Sequence, residues 1–299
     1  MNIIGHKNIF LTISAILTVA AAAALLGFGF HQGIDFSGGT LWQFQIAAAP
    51  PRVIELTDFL QKNLQLTDAR INFDAPNASY LLRLPSVSQA DHQKFSDLLV
   101  SRYASFKELS FQTIGPSVGA DLKNKSLIAL GLVLLGISAY IAFAFRKVFR
   151  PISSWKYGVI TLLTLFHDVI IPAGLLAILG RVAQVEIDGN FVVALLVVMG
   201  FSVHDTIVVF DRIRENLMLD RGKSNFGAVV NHSVNQTLGR SINTSLTLIL
   251  VLFALLFIGP VPLRYFVLTL LVGVTTGIYS SIFVASPLLL VWQQIRQKR

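Results

Sequence analysis

Six apolar runs, each long enough to cross a bilayer as a helix, constrain this chain more than any other feature. A hydrocarbon core about 30 Å thick needs roughly 20 apolar residues in helical form. The sequence places such runs at about residues 9–30, 126–146, 157–179, 190–210, 241–259 and 265–291. Only 13% of the 299 residues are charged and 54% are hydrophobic, whereas soluble domains carry about 25% charged residues. The pattern predicts an α-helical polytopic membrane protein with six transmembrane helices. The first run is longer than the ~7–15-residue apolar core of a signal peptide, so it reads as a retained span despite the small residues Ala20–Ala24.

Lysine and arginine set the orientation. Arg146, Lys147, Arg150 and Lys156 follow span two. Arg212, Arg214, Arg221, Lys223 and Arg240 follow span four, and Arg296, Lys298 and Arg299 follow span six. The connections on the other side hold Arg181 and Arg264. Positive charge collects on the cytoplasmic side, so both termini are expected there. The net charge of +8 then belongs to this rim and is no sign of nucleic acid. The organisation reads as residues 1–30 (N-terminus and first span), 31–122 (an extracytoplasmic domain) and 123–299 (five spans, a cytoplasmic loop at 211–240 and a basic C-terminus). That loop is amphipathic and basic, a pattern suited to an interfacial helix on anionic headgroups.

The segment 31–122 reads as a folded α+β domain. LWQFQIA alternates as a half-buried strand does. PRVIELTDFLQKNL is helical, with Pro51 in its first turn. ARINFD and SYLLRLP are strands around the turn Asp74-Ala75-Pro76-Asn77. Ser88, with Asp91 three residues on, opens a second helix, and KELSFQTI closes as a strand. The order β-α-β-β-α-β is ferredoxin-like, and by itself it carries no function.

Ionisable residues inside spans are expensive and mark functional sites by default. Asp168 sits near the middle of span three beside His167. Asp205 lies beside His204, about five residues from the charged end of span four. Arg240 opens span five toward the same membrane face. A guanidinium beside Asp205 would favour its charged form. Parting the two would let the carboxylate take a proton, which is the core of a proton-driven switch. Each residue also has a plainer reading: interfacial placement for Asp205, snorkelling for Arg240, and hydrogen-bonded packing for Asp168 and the histidines. Gly273, Gly277, Ser281 and Ala285, four apart, form a small-residue stripe for close helix packing, with an internal partner expected. The chain has no cysteine, which excludes disulfides and thiolate chemistry. It has no HExxH, GxSxG or P-loop. Adjacent His-Asp pairs point about 100° apart on a helix and form no metal face, so no metal and no enzyme activity are expected.

GIDFSGGT (33–40), GPSVGADL (115–122), FHD (166–168), GFSVHDTIVVFDRIREN (200–216) and NQTLGRSINTSLT (235–247) resemble, in order, the signatures of the SecD/SecF family of bacterial protein-translocation subunits. The resemblance covers nearly the whole chain. It implies residence in the bacterial inner membrane, partnership with SecD and the Sec channel (SecY, SecE, SecG), and YajC and YidC as further candidate neighbours. It implies coupling of the proton-motive force to late preprotein translocation and release, with protons as coupling ion and no cofactor. The family's intramembrane carboxylate falls on Asp205 and its arginine on Arg240; Asp168 matches the His-Asp motif. His204 departs from the pattern, where Asn is expected. Glycine adopts backbone shapes costly for other residues, so Gly33, Gly38, Gly39, Gly115 and Gly119, with Asp35, read either as hinges bracketing the outer domain or as plain tight turns. A small-molecule or lipid exporter of the same superfamily is the alternative, and a passive scaffold a third.

Overall fold

The computed structural model describes residues 2–48, 50–64, 69–75, 78–146, 153–220 and 223–297. It separates into two compact units, Met1–His31 with Leu127–Arg299, and Gln32–Ser126. The cationic positions Lys147, Arg150, Arg221, Lys298 and Arg299 and the turn residues Pro76 and Asn77 lie outside the described residues.

In chain order, a short 3-10 turn leads into α1 (Lys7–Phe28). The small unit follows: α2 (Ile34–Ser37), β1 (Gly39–Ile46), α3 (Val53–Leu64), β2 (Arg70–Asp74), β3 (Ser79–Leu84), α4 (Gln89–Arg102) and β4 (Phe106–Ile114). The remaining helices are α5 (Pro116–Ala144), α6 (Ser154–Ala183), α7 (Gly189–Asp220), α8 (Phe226–Ile258), α9 (Arg264–Ser280) and α10 (Ser286–Gln297).

The small unit is one antiparallel sheet in the order β2-β3-β1-β4. Alternation in β1 sends Trp42, Phe44 and Ile46 into a core shared with Leu56 and Leu60 of α3, Leu82 of β3 and Leu99 of α4. A register shift between Gln43 and Phe44 resets the pairing with β4, so that Glu108 stands opposite Phe44. Glu108 then accepts from Trp42 Nε1 (3.0 Å) and pairs with His92 Nε2 (2.8 Å). Ser88 caps α4, its hydroxyl receiving the Asp91 N–H and donating to the Asp91 carboxylate. Two details differ from the sequence reading. Pro51 precedes α3, which starts at Val53; its carbonyl accepts the Tyr80 hydroxyl. The GIDFS segment contains the short helix α2.

The helical unit holds six helices long and apolar enough to cross a membrane. They outrun the apolar runs. α5 begins at Pro116, where the sequence placed the span from 126. α7 continues to Asp220 and α8 starts at Phe226, so residues 211–240 are mostly the paired ends of two long helices, where the sequence reading placed a loop. The cause is visible in the contacts. Ile213, Phe226, Val230 and Val234 are buried in one core with Phe145, Tyr157 and Phe210. Arg212 bonds Gln236 (2.7 Å), and Asn216 bonds Ser233 and Gln236 (both 2.8 Å). Span six is likewise broken: α9 passes through a π-helical turn, Ser281–Ala285, before α10. About half of the apolar stretch is buried in α6, α7 and the α9–α10 span, against 17% or less in α1, α5 and α8. Half of each inner span therefore faces protein, and Asp168, Ser202, Asp205, Ser280 and Ser281 lie on that half.

Candidate functional site: carboxylates inside the helical unit

On α7, Ser202, Asp205 and Thr206 are all buried, because positions i, i+3 and i+4 share a helix face. His204 points the other way, its side chain 61% exposed and its Nδ1 3.9 Å from Asp205 Oδ1. Asp205 Oδ2 accepts one long hydrogen bond, 3.4 Å, from Ser245 of α8. Arg240 is exposed on α8, five positions before Ser245, or about 7.5 Å along the helix. Among the described residues no ion pair joins Arg240 to Asp205; the group that reaches the carboxylate is the Ser245 hydroxyl. Ser241, on the same α8 stripe as Ser245, is buried with its hydroxyl unpartnered.

Asp168 has richer surroundings. It is fully buried on α6. Its Oδ2 accepts from Ser202 of α7 (2.5 Å) and Ser280 of α9 (2.7 Å). Its Oδ1 is 2.8 Å from His167 Nδ1. Hydrogen bonds to charged groups contribute on the order of 1.5–3 kcal/mol each, which offsets the cost of burying a carboxylate. His167 is itself buried, its ring 6.4 Å centroid to centroid from Tyr279, and its Nε2 has no partner. The two carboxylates thus differ: Asp168 ties three helices together, while Asp205 is buried with one weak donor. A buried acid with so little fixed compensation is the group whose charge depends on what else is brought to it.

The stripe on span six packs inward. A Cβ on Gly273 would stand 2.3 Å from Val198 Cγ2, and one on Gly277 3.0 Å from Ser202 Cβ. Glycine is what lets α9 approach α7 at the level of Ser202. Ser281 Oγ lies 2.8 Å from Thr206 Oγ1, and Ala285 is buried in the core of the unit; both belong to the π turn.

The junction residues lie within the small unit. Gly38 (φ +73°) and Gly39 (φ +124°) occupy backbone shapes that favour glycine. Gly38 is wedged against Pro116, and a Cβ on Gly119 would lie 2.9 Å from Gly38 N. Gly33 has φ −69°, a backbone angle open to any residue, and a Cβ on Gly115 would meet nothing within 4 Å. Asp35 sits in the first turn of α2. Arg83, which no motif or pattern singles out, donates to Gln32 O (2.8 Å) and Ser37 Oγ (2.9 Å) and ties α2 to β3.

The same segments carry the family relationship. The family model described as protein export membrane protein SecD/SecF, C-terminal, matches residues 94–295. The SecD/SecF GG motif matches 23–46, which includes Gly38 and Gly39. The chain belongs to the SecD/SecF family. It is 42% identical to the protein translocase subunit SecF of Thermobaculum terrenum, over 98% of this chain and 94% of that one. It is 37% identical to the protein translocase subunit SecDF of Thermus thermophilus, over 99% of this chain and 39% of that one. The crystal structure of SecDF from that organism, titled a translocon-associated membrane protein, superposes with a TM-score of 0.81 at 35% identity. The match covers 98% of this chain and 39% of the SecDF chain, so this chain spans about two fifths of that protein.

Ser202, Ser245 and Ser280 were missed by sequence reasoning. Their signal was weak but present: Ser202 stands three residues before Asp205, and Ser280 precedes the Ser281 of the stripe. Serines are common in membrane helices, and only the tertiary contact selects these.

Proposed function

We infer that this chain is a proton-coupled auxiliary subunit of the Sec export machinery, acting with SecD in late preprotein translocation and release. Family membership sets the export role. The observation that carries the coupling is Asp205, a buried carboxyl with one 3.4 Å hydroxyl donor and with Arg240 unpaired to it on the neighbouring helix. In this reading Asp205 alternates between a charged form that Arg240 approaches and a protonated form held by Ser245. Asp168 and His167 form the second ionisable pair inside the spans, and His204 modulates Asp205 from outside. Protons are the coupling ion, without cofactor or metal, and the role is transport, not catalysis.

The SecDF relative, in which both names belong to one chain, supports SecD as partner. The channel subunits SecY, SecE and SecG, with YajC and YidC, follow as proposed neighbours in the bacterial inner membrane. The bias of Lys and Arg supports cytoplasmic termini, and the small unit between the first two spans would then face outward. Its element order and its strand order β2-β3-β1-β4 support a ferredoxin-like fold at about 31–122. The glycines Gly38, Gly39 and Gly119 would mark its junction with the spans.

The test is preprotein release from vesicles carrying this chain, SecD and the channel, with and without a proton gradient. Wild type should release faster with the gradient, and Asp205→Asn should lose that response. A normal response in Asp205→Asn would remove Asp205 from the coupling path.

A further inference from the structure

The bonds around Asp168 are arranged so that one of them has a ready substitute. Ser280 has a single hydroxyl proton. It lies 2.7 Å from Asp168 Oδ2 and 3.1 Å from the carbonyl of Gly277 in its own helix. If Asp168 stops accepting, the Ser280 hydroxyl turns to Gly277 and no buried donor is orphaned. The helices are soft at the same level. Pro172 has no N–H, so the α6 bond to the carbonyl of Asp168 is missing. Directly after Ser280 comes the π turn Ser281–Ala285, and such turns gather at functional sites. The titratable groups at this level are His167 on α6, Tyr279 on α9 and Asp205, one turn along α7 from Ser202; α1 brings only Ser14, which bonds the Tyr279 hydroxyl. Among the described residues no lysine or arginine pairs with Asp168.

We propose that Asp168, Ser202 and Ser280 form a proton-operated clasp that closes α9 onto α6 and α7 and frees the π turn when Asp168 is protonated. An ionised carboxylate only accepts hydrogen bonds, whereas the acid must donate one. A proton taken from water onto Oδ2 forces one of the two serine bonds there to reverse or break. Ser280 is the one with an alternative acceptor, so the arm to α9 opens first. Protonation of Asp168 and opening of the clasp therefore favour each other. Ser202 and Ser280 are positioning residues. The clasp rests on the proton-coupled reading above, and adds a second station with its own moving part.

The chain has no cysteine, so a single introduced thiol reports cleanly. Phe283 in the π turn is half-buried against Phe10, with ring centroids 4.5 Å apart. Phe283→Cys in the full chain in lipid nanodiscs would be labelled with a water-soluble maleimide at one fixed pH. Rates would be normalised to Leu219→Cys, an exposed site. Asp168→Asn, whose side chain is uncharged like the protonated acid, should label faster than wild type. Ser280→Ala should raise the rate about tenfold, the loss of one charged hydrogen bond, and Ser280→Thr should restore it. Wild-type labelling in Asp168→Asn or in Ser280→Ala overturns the clasp. Because labelling needs neither gradient nor partner, it is read apart from the Asp205 export assay. Wild-type labelling in Asp205→Asn supports the clasp as a separate station, and fast labelling there overturns its independence.

Discussion

Gly38→Ala measures whether the glycines at the edge of the small unit are wedges or free pivots. At φ +73° and ψ 170° the residue occupies a region essentially restricted to glycine, and holding another residue there costs about 1–3 kcal/mol. The added Cβ would also stand 2.8 Å from Pro116 Cα and 2.9 Å from Pro116 N. Both are backbone atoms in a rigid ring, so relief means moving the start of α5. Overpacking of this kind costs typically 1–3 kcal/mol. Together the two terms destabilise the small unit by about 2–6 kcal/mol, or roughly 10 °C or more in melting temperature for a unit this size. Gly115→Ala is the control: it meets nothing within 4 Å and should stay within about 0.5 kcal/mol of wild type. Trp42 is the reporter, fully buried with its indole N–H on Glu108. The other two tryptophans, Trp155 and Trp292, would be changed to Phe in the full chain, so that emission follows the small unit alone. Equal melting of the Gly38 and Gly115 variants would refute the wedge. Lost export with unchanged melting would instead support a pivot.

Two further outcomes follow from the contacts. Gly174→Ala places a Cβ 2.6 Å from Ala21 Cα, against the backbone of α1. It should destabilise the helical unit by about 1–3 kcal/mol, seen as a lower thermal midpoint in detergent, while Gly136→Ala, with open space around it, should not. In the small unit the Ser88 hydroxyl, and then Lys94, hold the Asp91 carboxyl below its ordinary value. Stability from a depressed carboxylate is present above the unfolded value and lost as pH falls through the folded one. Ser88→Ala should raise the Asp91 midpoint in an NMR titration of the full chain and flatten the loss of stability at low pH.

The spans were legible because a bilayer demands about 20 apolar residues in a row, and nothing else in a sequence looks like that. The strands were legible because alternation, as in LWQFQIA, has its own period. Helix ends were not. α5, α7 and α8 continue through polar residues supported by local pairs such as Asp121–Lys125 (2.7 Å) and Arg212–Glu215 (2.7 Å), and by burial of Ile213 and Phe226, which no local pattern announces. The π turn in span six likewise has no local signature; the serines at its start serve α6 through Ser280, the last residue of α9, and α7 through Ser281. At the site, depth in an apolar run picked out Asp168 and Asp205. It could not tell that one is bound by three donors and the other by one, because that difference lies in hydroxyls from other helices.

The α7–α8 pair has a mechanical consequence. α7 has 32 residues, about 48 Å at 1.5 Å per residue, against a hydrocarbon core of about 30 Å. The surplus is braced against α8 by the side chains of Arg212, Asn216, Ser233 and Gln236. From Asp205 to the tip at Asp220 the arm is about 22 Å long. A tilt of about 10° at the carboxylate, too small to open any large gap among packed helices, would carry that tip about 4 Å. If Asp205 couples as proposed, the rod would be a lever with its fulcrum at that residue, and its far end would move several times further than the hydrogen-bond rearrangement that started it.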